Sequence, residues 1–234
     1  MSRPQSRLST GIDAIDRHMS GGIEPGSVVA LIAGPTMQSE AILHQLVEMH
    51  QTLYLTTLRQ ASAVENDLER LSTDDVFVEY AGADRTMNNE FLRQITGSRS
   101  YKPSFTNDTS LLDTVYEILQ DLDQKANVVL DPVNPMEESE NKDAYREVLN
   151  ELKSTMLDTG GVGILHCITL DELPPFRDVT LALADVVWEL DLVSLASSME
   201  YQLSIPKNRG GKPVLDDISI VLEKDVWVDE SRNI

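Results

Sequence analysis

The sequence predicts an α/β protein with a mostly parallel central sheet and antiparallel strands at its carboxyl-terminal edge. Two patterns indicate this fold class. Between residues 27 and 184, short apolar runs alternate with amphipathic helical segments, the order that buries a parallel sheet between two layers of helices. From residue 185 onward, strand-like segments follow one another without helices between them. The 234 residues, 41% of them apolar, are enough for one sizeable core.

Each predicted element follows from its local pattern. Apolar runs of strand length occupy residues 27–33, 52–57, 76–80, 127–131, 161–169, 186–192, 199–206, 217–223 and 226–228. Segments with apolar residues at helical spacing occupy residues 11–19, 38–50, 61–71, 108–125, 142–158 and 179–184. We expect Ser9 or Thr10 to cap the first helix, and Gly21 with Gly22 to end it.

We predict a single domain in three parts. Residues 1–26 form an amino-terminal helix and lead-in, residues 27–184 the alternating core, and residues 185–234 the carboxyl-terminal hairpins. The hairpins are expected to turn at residues 210–211 and 224–225. Residues 82–107 carry Gly, Asn, Ser and Pro clusters, and we favour a long surface excursion there over a linker between two domains.

The acidic balance of the chain disfavours several classes of partner. Lys and Arg number 19 against 39 Asp and Glu, a formal net charge of −20. Such a surface repels phosphate backbones and anionic lipids, so we expect neither nucleic-acid binding by the chain alone nor membrane docking. The composition favours a halophilic, archaeal protein over an acidic mesophilic one, because concentrated salt screens such self-repulsion. The amino terminus carries no apolar signal region, and we expect a cytoplasmic protein.

Cysteine usage narrows the chemistry further. Cys167 is the one cysteine of the chain, which excludes an intramolecular disulfide and a cysteine-based zinc site. It lies in an apolar run, and we predict that it is a small buried core residue.

A strand, a glycine and a helix follow one another near the amino terminus, where a phosphate-binding loop would lie. The loop pattern G-x-x-x-x-G-K-[ST] keeps its first position as Gly34, followed by Pro35. Ser39, Glu40 and Ala41 replace its second glycine, its lysine and its metal-binding hydroxyl. Each like-charge pair between Glu40 and a phosphate costs about 4 kcal/mol at about 4 Å and an effective dielectric of about 20. We therefore favour a plain strand–turn–helix connection over a working phosphate site, and we predict no catalytic or metal-binding residue here.

Two segments near the amino terminus carry a family resemblance. Residues 8–16, LSTGIDAID, and residues 21–35, GGIEPGSVVALIAGP, resemble the opening of RecA/RadA/KaiC-like P-loop ATPases. That family begins with a Ser/Thr-Thr-Gly sequence, a Leu-Asp pair and a Gly-Gly-Ile turn before its phosphate-loop strand. The resemblance is specific over residues 8–35 and elsewhere rests on element order. It implies a three-layer RecA-like fold, and the altered loop resembles a haloarchaeal paralogue with a degenerate Walker A motif.

The resemblance assigns roles to further positions. Asp131 ends a strand that resembles Walker B, whose terminal Asp supports magnesium. His166 and Thr169 end the strand that senses the γ-phosphate in the family, although a hydrogen-bonded histidine at a strand end explains His166 at least as well. Residues 56–59, TTLR, hold no catalytic carboxylate where the family has one.

The carboxyl-terminal hairpin also resembles part of the family. Lys207 and Arg209 match a hairpin that reaches a neighbouring subunit's nucleotide in KaiC-like rings, but we favour a solvated hairpin. Glu137, Glu138 and Glu140 follow Asp131, and we predict a solvated acidic loop there rather than a cation site.

Three functional hypotheses follow. The first is a catalytically inactive regulatory or assembly partner that docks on itself or on an active RecA/KaiC-like paralogue, with links to DNA repair or signalling ATPases. The second is a divergent ATPase that binds ATP and magnesium through a rearranged loop, with Arg59 as the replacement cation. The third, an accessory of DNA recombination, is disfavoured by the net charge.

Overall fold

The computed structural model describes residues 6–48, 50–69, 76–81, 111–194, 199–222 and 226–228. The strands of these residues are β1 (Val28–Ala33), β2 (Thr52–Thr56), β3 (Val76–Tyr80), β4 (Asn127–Asp131), β5 (Gly163–Ile168), β6 (Val186–Ser194), β7 (Met199–Asn208), β8 (Val214–Leu222) and β9 (Val226–Val228). The helices are α1 (Asp13–His18), α2 (Glu40–Glu48), α3 (Ala61–Glu69), α4 (Leu111–Asp121), α5 (Asn134–Glu137), α6 (Lys142–Thr159) and α7 (Arg177–Leu183).

In the described part of the chain the strands form one sheet, in the order β3-β2-β4-β5-β1-β6-β7-β8-β9. Pairing is parallel from β3 across to β6. It is antiparallel from β6 to β9. This arrangement confirms the predicted α/β class with a parallel core and an antiparallel carboxyl-terminal edge.

Helices cover both faces of the sheet. Strand β1 is apolar throughout because its residues alternate between the two cores: Val29 and Leu31 belong to one, Val28 and Ala30 to the other. Helices α1, α2 and α3 pack on the first core, and α4, α5 and α6 on the second. Cys167 lies in the second core as predicted, and burial raises the pKa of its thiol to about 12.

Local signals explain both ends of α6 and the end of α1. Asn141 caps α6, since its side-chain oxygen accepts hydrogen bonds from the N–H groups of Asp143 and Ala144. Gly160 ends the same helix at a φ of 75°, a conformation that favours glycine. The predicted glycines after α1 also have positive φ, 101° at Gly21 and 115° at Gly22.

The predicted cap of α1 is wrong. Ile12 occupies the N-cap position and makes no side-chain capping bond. The hydroxyls of Ser9 and Thr10 donate instead to the carboxylate of Asp16, at 2.6 and 2.7 Å. A carboxylate is a stronger acceptor than a neutral group, and Asp16 therefore accepts hydrogen bonds from both hydroxyls at the start of the domain.

The predicted solvated acidic loop is also wrong at Glu137. Residues 134–137 form the short helix α5, and Glu137 is fully buried. Its carboxylate accepts from Arg177 Nε at 2.9 Å and from Arg177 Nη2 at 2.8 Å, and Thr180 donates a further hydrogen bond. The partners come from α7, 40 and 43 positions later, and a local reading of charge could not identify them.

Two predicted features, the excursion at residues 82–107 and the turn at residues 224–225, lie outside the described residues. The turn at residues 210–211 lies between β7 and β8 as predicted.

Candidate functional site

Three neighbouring strands end at the same edge of the sheet. Strands β4, β5 and β1 lie side by side and run parallel. Asp131 is the last residue of β4, His166 lies in the second half of β5, and Ser39 lies between β1 and α2. Because parallel strands place their carboxyl ends together, the sheet order brings these three residues into contact.

The contacts form a continuous chain, which we call the polar network: Ser39, His166, Asp131 and Tyr54. Ser39 Oγ lies 2.9 Å from His166 Nε2, and His166 Nδ1 lies 2.6 Å from Asp131 Oδ1. The hydroxyl of Tyr54, on β2, donates to the other oxygen of Asp131. All four residues are buried, with Ser39 and His166 each 2% exposed.

The donor and acceptor roles follow from the carboxylate. A carboxylate only accepts, so the Nδ1–H of His166 donates to Asp131. When the imidazole is neutral with its proton on Nδ1, Nε2 is an acceptor and the Ser39 hydroxyl donates to it; when both nitrogens carry protons, Nε2 donates to the hydroxyl oxygen.

The charges within the polar network are fixed by its contacts. Burial by itself raises the pKa of Asp131, but the hydrogen bonds and charge of His166, together with the Tyr54 hydrogen bond, outweigh burial and lower it. Burial and the neighbouring Asp131 carboxylate raise the pKa of Tyr54 well above its ordinary value. Asp131 therefore stays ionised and Tyr54 stays a donor across the physiological pH range.

The loop before Ser39, residues 34–38, connects β1 to α2. Pro35, Thr36 and Gln38 are exposed. The N–H of Met37 donates to the carbonyl of Gly34 at 3.1 Å, and the N–H of Gly34 contacts the sulfur of Met37 at 3.4 Å. Sulfur is a weak acceptor, so this second contact holds the loop only loosely.

The remaining predicted site residues lie outside the hydrogen-bonded chain of the polar network, although Glu40 directly follows Ser39. Glu40 and Ala41 lie half-buried in the first turn of α2. Lys207 Nζ donates to the carbonyls of Leu181 and Ala182 at 2.6 and 3.1 Å, where α7 ends. Burial and the charge of Arg209 lower the pKa of Lys207.

Arg209 and Arg59 both have acidic partners in the same chain. Arg209 Nη1 lies 3.0 Å from Asp185 Oδ1, and Arg59 pairs with Asp67 on α3. Neither cation contacts Ser39 or Asp131 in the described residues.

Sequence reasoning missed two parts of this region. It assigned no role to Tyr54, which an apolar strand pattern does not distinguish from a core aromatic. It also found no link between Ser39 and His166, which are 127 positions apart and meet only because β5 lies beside β1.

His44, one turn into α2, makes stability depend on pH. Burial lowers the pKa of His44, and the charge of Arg59 lowers it further. The carboxylates of Asp67, Glu40 and Asp131 raise this pKa, but they do not outweigh burial. Below pH of about 6.5 the unfolded chain therefore binds a proton that the folded chain does not, and stability falls as pH falls. When the pH is lowered from about 8 to about 5.5, we expect the free energy of unfolding, measured with urea, to fall less in His44→Gln than in the native protein. An equal loss in both proteins would contradict this assignment.

Across the described ranges, no group of three or more His, Cys, Asp or Glu side chains could hold a metal ion. No helix in that part of the chain is long and apolar enough to cross a membrane.

The sheet order, with a helix after β1 and an aspartate ending β4, defines an α/β protein of the RecA-like class. A solved structure, the KaiC-like protein PH0186 from the hyperthermophilic archaeon Pyrococcus horikoshii OT3, has this fold. It aligns with a TM-score of 0.67 at 18% identity, over 95% of this chain and 98% of that one. The likeness confirms the predicted RecA/KaiC-like fold.

The chain itself belongs to a family of unknown function, DUF7125, whose model matches residues 7–234. No curated protein matches the sequence.

Proposed function

We propose that this protein is a RecA/KaiC-like pseudo-ATPase that acts as a regulatory or assembly partner. The observation that carries the proposal is the polar network at the carboxyl edge of the sheet. Ser39 and Asp131, which align with the phosphate-loop and magnesium-supporting positions, are both bonded to His166.

The residues at this edge do not fit magnesium and ATP. Asp131 has one oxygen bonded to His166 and the other to Tyr54, so a metal or its water would have to displace a buried partner. Glu40 stands at the position of the phosphate-binding lysine, and Ala41 offers no hydroxyl to a metal. In a degenerate Walker A loop of this kind, like-charge repulsion from Glu40 opposes every phosphate.

The alternative, a divergent ATPase, needs a replacement cation at the loop. Arg59 is paired with Asp67, while Lys207 and Arg209 contact α7 and Asp185. Each of these cations already has an acceptor in the same chain, and we therefore place this alternative second.

We further propose that the partner is a second copy of this chain or an active RecA/KaiC-like paralogue. The retained scaffold supports this, because surfaces that assemble rings or filaments do not require a working nucleotide site. The net charge of −20 supports a halophilic, archaeal setting, in which salt screens repulsion between acidic copies. A cytoplasmic location is part of the same proposal. A role beside DNA repair or signalling ATPases rests on the family resemblance.

Calorimetric titration with magnesium and ATP tests the proposal. The buffer should hold about 1 M KCl, where the screening length is about 3 Å. We expect no heat of binding from the native protein at millimolar ATP. The triple variant Ser39→Gly, Glu40→Lys, Ala41→Thr should bind, because it restores the loop pattern and removes the hydroxyl that faces His166.

A matched control separates the loop from overall charge. Glu48→Lys makes the same charge change at the far end of α2 and should leave binding absent. Micromolar binding by the native protein would contradict the proposed loss of nucleotide binding and would favour the divergent ATPase instead.

A further inference from the structure

The contacts among Ser39, His166 and Asp131 have the order found in hydrolases with a serine nucleophile. The hydroxyl faces Nε2 at 2.9 Å, and Nδ1 faces a carboxylate at 2.6 Å. Both distances lie within about 2.6–3.2 Å, the reach at which a histidine takes a proton from a hydroxyl. We propose that Ser39 is a nucleophile, with His166 as its base and Asp131 as the positioning carboxylate, and that the site hydrolyses small uncharged esters.

The surroundings of His166 fix the orientation that this chemistry needs. Asp131 holds a proton on Nδ1, so that in the neutral imidazole Nε2 is the acceptor that faces Ser39. Tyr54 bonds the second oxygen of Asp131, so the carboxylate cannot rotate away without losing a buried partner. Both ring nitrogens of this buried imidazole therefore have partners, and the partner of Nε2 is the Ser39 hydroxyl.

A donor for the developing oxyanion lies beside the nucleophile. Ser39 directly precedes α2, and the first N–H groups of a helix have no partner within that helix. The N–H of Glu40, the residue after Ser39, is such a group, and the residue after the nucleophile supplies this donor in other serine hydrolases.

The charges and apolar groups at this edge select the substrate class. The carboxylate of Glu40 next to the nucleophile repels carboxylate and phosphate esters. Leu58 follows β2, and Leu170 and Leu173 follow β5, the two strands that flank β4. They are 61%, 43% and 62% exposed, and we assign the acyl or alkyl group of the substrate to this apolar surface.

The site is closed in this conformation, since Ser39 is 2% exposed. The exposed loop of residues 34–38 lies next to it, and its N–H···S contact between Gly34 and Met37 is weak. Reaction therefore requires this loop to move.

The reaction balances with water as the only co-reactant. Ser39 Oγ bonds to the ester carbonyl carbon while its proton passes to His166 Nε2. The carbon–alkoxide bond then breaks, and the alcohol leaves with that proton. Water attacks the acyl-serine with His166 again as base, which releases the carboxylic acid and restores the Ser39 hydroxyl.

Labelling of the native protein by a neutral alkyl fluorophosphonate tests the proposal. We expect one phosphonyl adduct, located at Ser39 by peptide mass spectrometry, with loss of fluoride. Ser39→Ala should abolish the adduct, and His166→Gln should slow it by about 100-fold or more. Ser139→Ala is the matched control, because the Ser139 hydroxyl is buried without a hydrogen-bond partner in the described residues, and it should label like the native protein.

Met37→Ala supplies a second measurement that does not depend on the folding of network variants. Loss of the sulfur contact should open the loop more often and raise the labelling rate several-fold. Hydrolysis of p-nitrophenyl butyrate should follow the same order of variants, with the anionic hemisuccinate ester much slower. If Ser39 carries no adduct in either the native protein or Met37→Ala after a day, the proposal is wrong. An unchanged rate in His166→Gln would also overturn it.

Discussion

Replacement of Arg177 by methionine is expected to lower the free energy of unfolding by about 3–5 kcal/mol. Arg177 is the cation that faces Glu137, which is 0% exposed, and it holds both carboxylate oxygens of that residue. Without it, the carboxylate stays buried with only the Thr180 hydroxyl as a charge-stabilising side-chain partner among the contacts described above. The unpaired charge, rather than the loss of packing, dominates this cost, because methionine retains most of the apolar volume.

Urea unfolding of two variants separates these contributions. The double variant Glu137→Leu, Arg177→Met removes both charges and should recover most of the loss. Arg146→Met is the control: Arg146 forms an exposed pair with Asp143 on α6, and its loss should cost no more than about 1 kcal/mol. A double variant as unstable as Arg177→Met would show that packing, not the buried charge, controls this region.

The fold was largely predictable because its determinants are local. Each core strand is buried on both faces, so its sequence is a short run of mostly apolar residues. A strand with one face in solvent does not need such a continuous run. The ends of α6 were predictable from sequence for the same reason, since Asn141 and Gly160 act within one turn of their helix.

The candidate site was predictable only in part, because its contacts depend on strand order. Asp131 and His166 were recognised as strand-end residues, but their bond requires β4 to lie beside β5. Glu137 failed as a prediction for the same reason: its partner lies on α7, and a local pattern of carboxylates predicts solvent. Residues that act through nonlocal pairs are therefore where sequence reasoning lost accuracy in this protein.

Asp185 ties three parts of the domain together. Its Oδ2 accepts from the N–H of Val28 at 2.9 Å and from Lys153 Nζ at 2.5 Å, and its Oδ1 accepts from Arg209 at 3.0 Å. The carboxylate thus joins the start of β1, helix α6 and the turn after β7. Its side chain is 8% exposed, so water cannot replace these contacts.

Asp185→Leu is expected to cost about 3 kcal/mol or more, because it leaves the Val28 N–H without its acceptor and the half-buried Lys153 ammonium with the Gly26 carbonyl but no counter-charge. Asp185→Asn keeps an acceptor but no charge and should cost clearly less in urea unfolding. Arg209→Ala removes a 57% exposed partner and should cost at most about 1 kcal/mol. A loss below about 1 kcal/mol in Asp185→Leu would contradict the role given to this carboxylate.

Arg209→Ala should remain folded, so light scattering of this variant can test whether the hairpin takes part in self-association. If the native protein is an oligomer and the variant dissociates, the result would support an intersubunit role. An unchanged mass would leave Arg209 as a contact within one chain.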